Sequence, residues 1–470
     1  MHISKDKHTT TLSLHDVLNL VLKDNTSLKI KRLEEKNLQL DAAVIKEQLD
    51  PHASIKSTLS DETTPTTNPF APSGTNIGVV TANITQPLDN GANVSLSASY
   101  SRSKTSYPSS VPSVFQATIN PTYQHQIDLI YRYPLFKGHD NLAYQAQLET
   151  VSANEHAAHW QVAIEKEQLA AQAIQLFFQL AANQIAIQLS KDAVLRAQKF
   201  LAYQKKREHL GLIEKADRIQ AEALLSGRKF EFINAQTTWN NSRVSLNRLM
   251  HRYYQAPLQL TLSSNTSVQP QSMPILISEA QKHRAIFMLL DAQEKASHAL
   301  LTQARENERQ QLDVIGQIGT RALSGSPLTV LGQGFTLKDR YLGVGIEWSD
   351  SLAKHALKPN IQKAELALER IQLQRQQAIE NIITNISEAR MQYENAFMTQ
   401  ASAQQRVQME KKKFNAEMQR YHEGRSDTAT VIQFEGALRN AELQASLQKI
   451  QMQSARYRIE LAIGRLLSTS

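Results

Sequence analysis

Few residues in this chain are arranged for chemistry. Glu155, His156 and His159 bring two imidazoles and a carboxylate onto one helical stretch, donor types that can hold a divalent metal. Helical zinc pairs use i,i+4 spacing with further ligands; these histidines stand closer and no third ligand is identifiable, so no metal is expected. The chain has no cysteine, which removes thiol nucleophiles, zinc–thiolate sites, disulfides and a lipidated N-terminal cysteine. No glycine-rich phosphate loop, nucleophile elbow or paired-carboxylate site is present, so neither a catalytic residue nor a cofactor is expected. What remains is charge. Lys205-Lys206-Arg207 and Lys411-Lys412-Lys413 each lie a few turns before a glycine that interrupts a helical pattern. Each triplet is either a docking collar or a solvated helix face. The net charge of +8 comes from Lys and Arg interleaved with Asp and Glu along helices, and no binding motif appears. Nucleic acid is therefore not an expected partner.

The elements that carry these charges are long. From about Asn141 to Arg207 apolar residues recur at three- and four-residue spacing, without Pro or Gly. A helix of that length would span roughly 100 Å, more than a compact domain holds, so the pattern implies a coiled-coil or tubular assembly. A second such run covers Ile361 to Tyr421. Each run breaks, at His209–Lys215 and at Tyr421–Asp427, and then resumes to about Met250 and Leu467. Shorter helices, Ser13–Leu49 and Ile277–Gln310, precede the two hairpins.

The halves repeat. An offset of 259 places Val17 on Leu276, Asn25 on Arg284 and Ile55 on Val314; an offset of 213 places Gly211 on Gly424. We expect a first repeat over 12–250, with its helix at 13–49, β region at 51–137 and hairpin at 139–250. A linker follows over 251–274, with a short strand near Leu258–Leu262. The second repeat covers 275–467, with helix 277–310, β region 311–349 and hairpin 355–467. In the β regions Leu312/Val314/Gly316/Ile318 and Leu342/Val344/Ile346/Trp348 alternate, joined through the Gly-, Ser- and Thr-rich stretch Arg321–Asp339. The first half offers Ala53–Leu59, Tyr123–Tyr133 and two further strands, Ile77–Leu88 and Gly91–Arg102, with Asp89-Asn90-Gly91 as the hairpin turn. Tyr123, Tyr131, Tyr133, Tyr341 and Trp348 stand near strand ends, where aromatic residues suit a bilayer interface.

No stretch approaches the 18 or more apolar residues of a membrane-spanning helix, and Met1–Thr11 holds no signal-peptide core; an exported chain would have lost its signal. The mean hydropathy of −0.41 still permits membrane contact through alternating strands. Such strands must close, because lipid satisfies no open edge. A homo-oligomer sharing one barrel meets that requirement.

The ordered set of motifs resembles the TolC-type outer membrane factor family. Leu12-Ser13-Leu14-His15-Asp16-Val17-Leu18 with Asn25 resembles its first-helix start. Gln86-Pro87-Leu88 and Tyr133-Pro134-Leu135-Phe136-Lys137-Gly138 resemble its strand-to-helix exit. Gly211-Leu212-Ile213 with Asp217 and Gln220-Ala221-Glu222 resembles its periplasmic turn. The likeness runs from Leu12 to Leu467. It implies a mainly α fold with membrane β: a homotrimer with a shared outer-membrane β-barrel and a periplasmic α-helical barrel, internally duplicated, in a Gram-negative bacterium. It implies a passive exit duct for tripartite efflux or type I secretion, in contact with outer-membrane lipid. Its partners would be a periplasmic adaptor and an inner-membrane pump or ABC transporter. The competing reading is a soluble coiled-coil scaffold, which has no need of alternating, aromatic-ended strands.

The resemblance also assigns the periplasmic gate to Gly211, Leu212, Ile213, Asp217, Tyr421, Gly424 and Asp427. Asp217 falls where three copies would form a carboxylate ring, against the plainer reading of a helix-start carboxylate. Tyr421 matches a gating tyrosine. The family's gate arginine and aspartates are here Ser426, Thr430 and Gln433, so the closed state is expected to rest on apolar packing or an Asp217–Tyr421 contact, with Asp427 a partial substitute. The basic triplets would face the adaptor.

Overall fold

The computed structural model describes residues 10–262, 271–334, 336, 339–350 and 357–467. In chain order, the first half runs β1 (Thr10–Leu12), α1 (Leu14–Asp24), α2 (Thr26–Lys46), β2 (His52–Thr63), β3 (Gly74–Pro87), β4 (Asn93–Ser106), β5 (Thr122–Pro134), α3 (Leu142–His209) and α4 (Lys215–Leu249). The second runs β6 (Leu258–Leu260), α5 (Met273–His283), α6 (Ala285–Glu308), β7 (Gln311–Ser324), α7 (Pro327–Gly334), β8 (Arg340–Ser349), α8 (Leu357–His422) and α9 (Thr428–Ala462). The centre of the expected linker, residues 263–270, and the expected hairpin start at 355–356 lie outside the described residues.

Two compact units each draw on both halves of the sequence. The helical unit comprises Met1–Glu35, Ala157–Asp291 and Leu373–Ser470. Its entry is set by a capping box: the Ser13 hydroxyl accepts from the Asp16 N–H while Asp16 Oδ2 accepts from the Ser13 N–H at 2.9 Å. Two helices expected to be continuous, 13–49 and 277–310, are broken. The breaks fall at Asn25 (ψ 129°) and Arg284 (ψ 126°), positions equivalent under the 259 offset. Asn25 Oδ1 caps the restart by accepting from the Ser27 N–H at 2.8 Å. At the second break Glu167 of α3 does this work, accepting from the Ala285 N–H at 3.3 Å beside Arg284 at 3.1 Å. Burial pushes the Glu167 carboxyl up, against the opposing pull of Arg284 and that N–H. Leu28, Ile174, Phe177, Leu180, Leu246 and Leu258 anchor the largest core. β6 runs parallel to β1, which ties the linker to the chain's first described residues.

The second unit, Lys36–His156 and Ala292–Gln372, is a six-stranded sheet in the order β2-β3-β4-β5-β7-β8, antiparallel throughout. The β3–β4 hairpin therefore lies within the sheet rather than beyond it. Its turn is docked against the exit of β5. Gly91 (φ +83°) lies so close to Gly138 that a Cβ there would fall 1.9 Å from the Gly138 carbonyl oxygen, and Ala92 is wholly buried. On the other side Gln86 donates to the Leu49 carbonyl at 2.7 Å, which pins β3 to the entry of β2. The Gly-, Ser- and Thr-rich stretch after β7, read as a connection, contains α7, whose Val330 is fully buried.

Candidate functional site

The two hairpin turns of the helical unit are built alike. Gly211 (φ +69°) ends α3 and Gly424 (φ +78°) ends α8. In each, the residue after the glycine bonds five positions back: the Leu212 N–H to the Arg207 carbonyl, the Arg425 N–H to the Arg420 carbonyl, both at 2.9 Å. This is the left-handed glycine cap that satisfies the last carbonyls of a helix. Leu210 and Leu212 are exposed beside it.

The side chains that hold the turns differ between the halves. Arg218 of α4 reaches back to Glu208 of α3 at 2.8 Å. In the second turn Ser426 donates to the buried Glu417. The turns are joined by Tyr421, which is 2% exposed. Its hydroxyl donates to Gln204 Oε1 at 2.7 Å and contacts the Thr428 hydroxyl at 3.1 Å. Gln204 Nε2 completes the triangle by donating to Thr428 at 3.2 Å. The Arg207 guanidinium lies 4.9 Å from the Tyr421 ring centroid and donates to the Tyr421 carbonyl at 3.2 Å. Phe200, Leu201, Ala221 and Val431 pack around the ring. The expected Asp217–Tyr421 contact is not what occupies this hydroxyl: Gln204 and Thr428 take it.

Asp217 is half-buried in the first turn of α4. Asp427 is the N-cap of α9 and accepts from the Thr430 N–H at 2.7 Å. That bond holds its carboxyl below the usual aspartate range. Of the basic triplets, Lys205, Lys206, Lys411 and Lys412 are exposed. Arg207 is taken up by Tyr421, and Lys413 pairs with Glu410 at 3.0 Å and lies over the Phe434 ring.

A charge ladder unmarked by any motif lies behind the turns. Glu435 of α9, 3% exposed, is held by Arg228 of α4 at 2.5 Å and by Arg196 of α3 at 3.3 Å. Arg196 continues to Glu442, and Glu231 joins Arg228 to Arg439. The only sequence signal was opposite charges at helical spacing on three separate segments, which does not reveal who meets whom. Among the described residues no cluster of three or more His, Asp or Glu could hold a metal. His159 instead pairs with Glu35 at 2.9 Å.

The registers of the sheet assign its faces. Ile55, Ala82, Ala98, Ile127 and Thr320 are successive partners across five strands, so they share one face. That face carries Leu59, Ile84, Leu96, Leu129, Val344 and Ile346, and it includes Tyr123, Tyr131, Tyr133 and Trp348. Its apolar side chains are bare: Ile55 is 80%, Leu59 86% and Val344 81% exposed. The opposite face carries Ser and Thr of β4, and Arg132 bridging Asp313 at 2.8 Å and Glu347 at 2.7 Å. Tyr341 belongs there, which corrects its grouping with Trp348. Alternation turns it away, its hydroxyl accepts from Gln317 at 3.0 Å, and Arg321 covers its ring.

No family model and no curated protein matches the sequence. Solved structures match the fold over nearly its whole length. CusC, crystallised in a study of folding and transmembrane channel formation, is 13% identical with a TM-score of 0.70, covering 97% of this chain and 93% of that one. The Campylobacter jejuni outer membrane channel CmeC is 16% identical with a TM-score of 0.68, covering 96% and 85%. The Vibrio cholerae outer membrane protein VceC is 14% identical with a TM-score of 0.67, covering 96% of each. The chain has the fold of a TolC-type outer-membrane channel protomer.

Proposed function

We propose that this chain is an outer-membrane exit duct of the TolC-type family, a non-catalytic channel for export. The observation that carries the reading is the bare apolar sheet face, with Ile55, Leu59, Val344 and Ile346 each more than 70% exposed, backed by a polar face and bounded by two open edges. An open sheet edge is not tolerated in lipid, and a large exposed apolar patch needs a covering phase. A homotrimer that closes the sheets into one barrel in the outer membrane of a Gram-negative bacterium meets both demands. The helices, α3–α4 and α8–α9, then form the periplasmic conduit, and their turns form its gate. A periplasmic adaptor docks near those turns, where Lys205, Lys206, Lys411 and Lys412 are free to meet it, and an inner-membrane pump or ABC transporter supplies energy. Asp217, three times over, is the carboxylate ring of the constriction.

The test is biochemical. Membranes expressing the chain should release it only into detergent, as a heat-modifiable trimer that conducts ions in planar bilayers. A monomer released without detergent would overturn the reading.

A further inference from the structure

The sheet's two free edges predict more than closure. We infer that all six strands of each protomer are barrel wall, and that β8 of one copy pairs with β2 of the next so that Ile346 meets Ile55, giving an 18-stranded barrel from three copies. The inference rests on the exit-duct reading.

Three constraints narrow the register, and a charge pair selects it. First, direction: an even number of antiparallel strands leaves β2 and β8 running oppositely, so copies join without a parallel seam. Second, face: apolar positions are odd-numbered on β2 (Ile55, Leu59) and even-numbered on β8 (Leu342, Ile346). A register that keeps both on the lipid side must pair odd with even. Third, overlap: followed straight across the six strands, His52 lies level with Gly343. Pairing at that level would engage only the start of each strand. Two odd–even registers use the whole of β8: Ser54 opposite Ser349 sets Asp61 against the apolar Leu342, whereas His52 opposite Ser349 places Ala53 by Trp348, Ile55 by Ile346, Leu59 by Leu342 and Asp61 by Arg340. The last pair is opposite in charge at the end where both strands leave the apolar band.

The same register passes an independent geometric check. It displaces the wall by about six residues per protomer, or about one residue per strand. With ~3.3 Å along a strand and ~4.8 Å between strands, the tilt is roughly 35°. Closed barrels have tilts of about 35–45°. At that tilt 18 strands give a backbone diameter of roughly 34 Å, in the range of barrels that enclose an aqueous channel. The β3–β4 hairpin is held as wall by Gln86 on Leu49 and by the Gly91–Gly138 approach.

The cysteine-free chain is its own background for the test. Cysteine pairs would be introduced in the full-length protein in outer membranes and oxidised, then read on non-reducing gels. Ile55→Cys with Ile346→Cys should convert the monomer band to covalent dimer and trimer. Lys56→Cys with Gly345→Cys samples the other face, because antiparallel neighbours alternate in hydrogen-bonding type and in disulfide geometry. Ile55→Cys with Ile127→Cys should stay uncoupled, since three strand spacings, roughly 14 Å, separate them. Efficient coupling of Ile55 to Ile127 within one chain would mean that β2 sits beside β5 and the hairpin lies outside the wall. That result, or a trimer in which neither seam pair couples, overturns the inference and leaves the duct reading standing. Loss of the trimer itself in unmodified protein overturns the duct reading.

Discussion

Tyr421→Phe isolates one atom at the point where the two helical turns meet. The ring keeps its apolar neighbours and its place beside Arg207, 4.9 Å away, so packing survives. The hydroxyl is lost, and with it the 2.7 Å bond to Gln204, whose side chain has no solvent exposure. Gln204 Nε2 retains Thr428, but Oε1 is left buried without that donor. An abandoned buried acceptor costs about 1–3 kcal/mol, more than the net worth of the bond itself. If the turns open locally, that cost appears as faster amide exchange at Arg207–Leu212 and Tyr421–Arg425, by about 5- to 150-fold. Exchange in the distant core around Phe177 should not change. A cycle with Gln204→Leu separates the pair from its parts: the double variant should be less destabilised than the sum, because it removes both polar partners. Protection unaltered within about two-fold, or strictly additive single effects, would refute the view that this triangle holds the turns together.

Other outcomes follow from the same contacts. Asp427→Ala should cost about 1 kcal/mol by removing the N-cap of α9. The folded carboxyl lies below its unfolded value, so this contribution is present above the unfolded value and is lost as pH falls through the folded one. Thermal melts of the two proteins should therefore converge at strongly acidic pH. Glu435→Ala leaves Arg196 and Arg228 facing each other without their buried carboxylate and should cost about 3–5 kcal/mol in a denaturant titration. Gly91→Ala places a methyl against the Gly138 carbonyl in a left-handed backbone and should reduce the yield of heat-modifiable trimer. Gly227→Ala, in open space within α4, should instead stabilise by about 0.5–1 kcal/mol.

Much of the fold is legible in sequence because its elements are long and periodic. The glycine caps, the Asn-Gly hairpin and the alternating strands each carry a local cause. The breaks at Asn25 and Arg284 were hidden because each occupies one residue inside an otherwise helical pattern. At Arg284 the cap comes from Glu167, over a hundred residues earlier. Proximity to a strand end groups Tyr341 with Trp348, although alternation with Leu342 places it on the opposite face. The partner of Tyr421 was unreadable for a different reason. Gln204 and Thr428 are chosen by how α3 approaches the α8–α9 turn, and nothing in their types distinguishes them from solvated neighbours. The ladder around Glu435 fails the same way: many opposite charges are available, and only packing selects among them.

The β3–β4 hairpin has a bearing on how ducts of the proposed kind would diversify. A hairpin returns the chain to the side from which it departed, with the next strand still antiparallel to the last. Gaining or losing one therefore leaves the direction of β5 and the entry to α3 unaltered. In a three-fold assembly the wall then grows or shrinks by six strands at a time, a change of roughly 11 Å in diameter at constant tilt. On the exit-duct reading, bore becomes a variable that one hairpin alters, while the direction in which the chain leaves β5 stays the same.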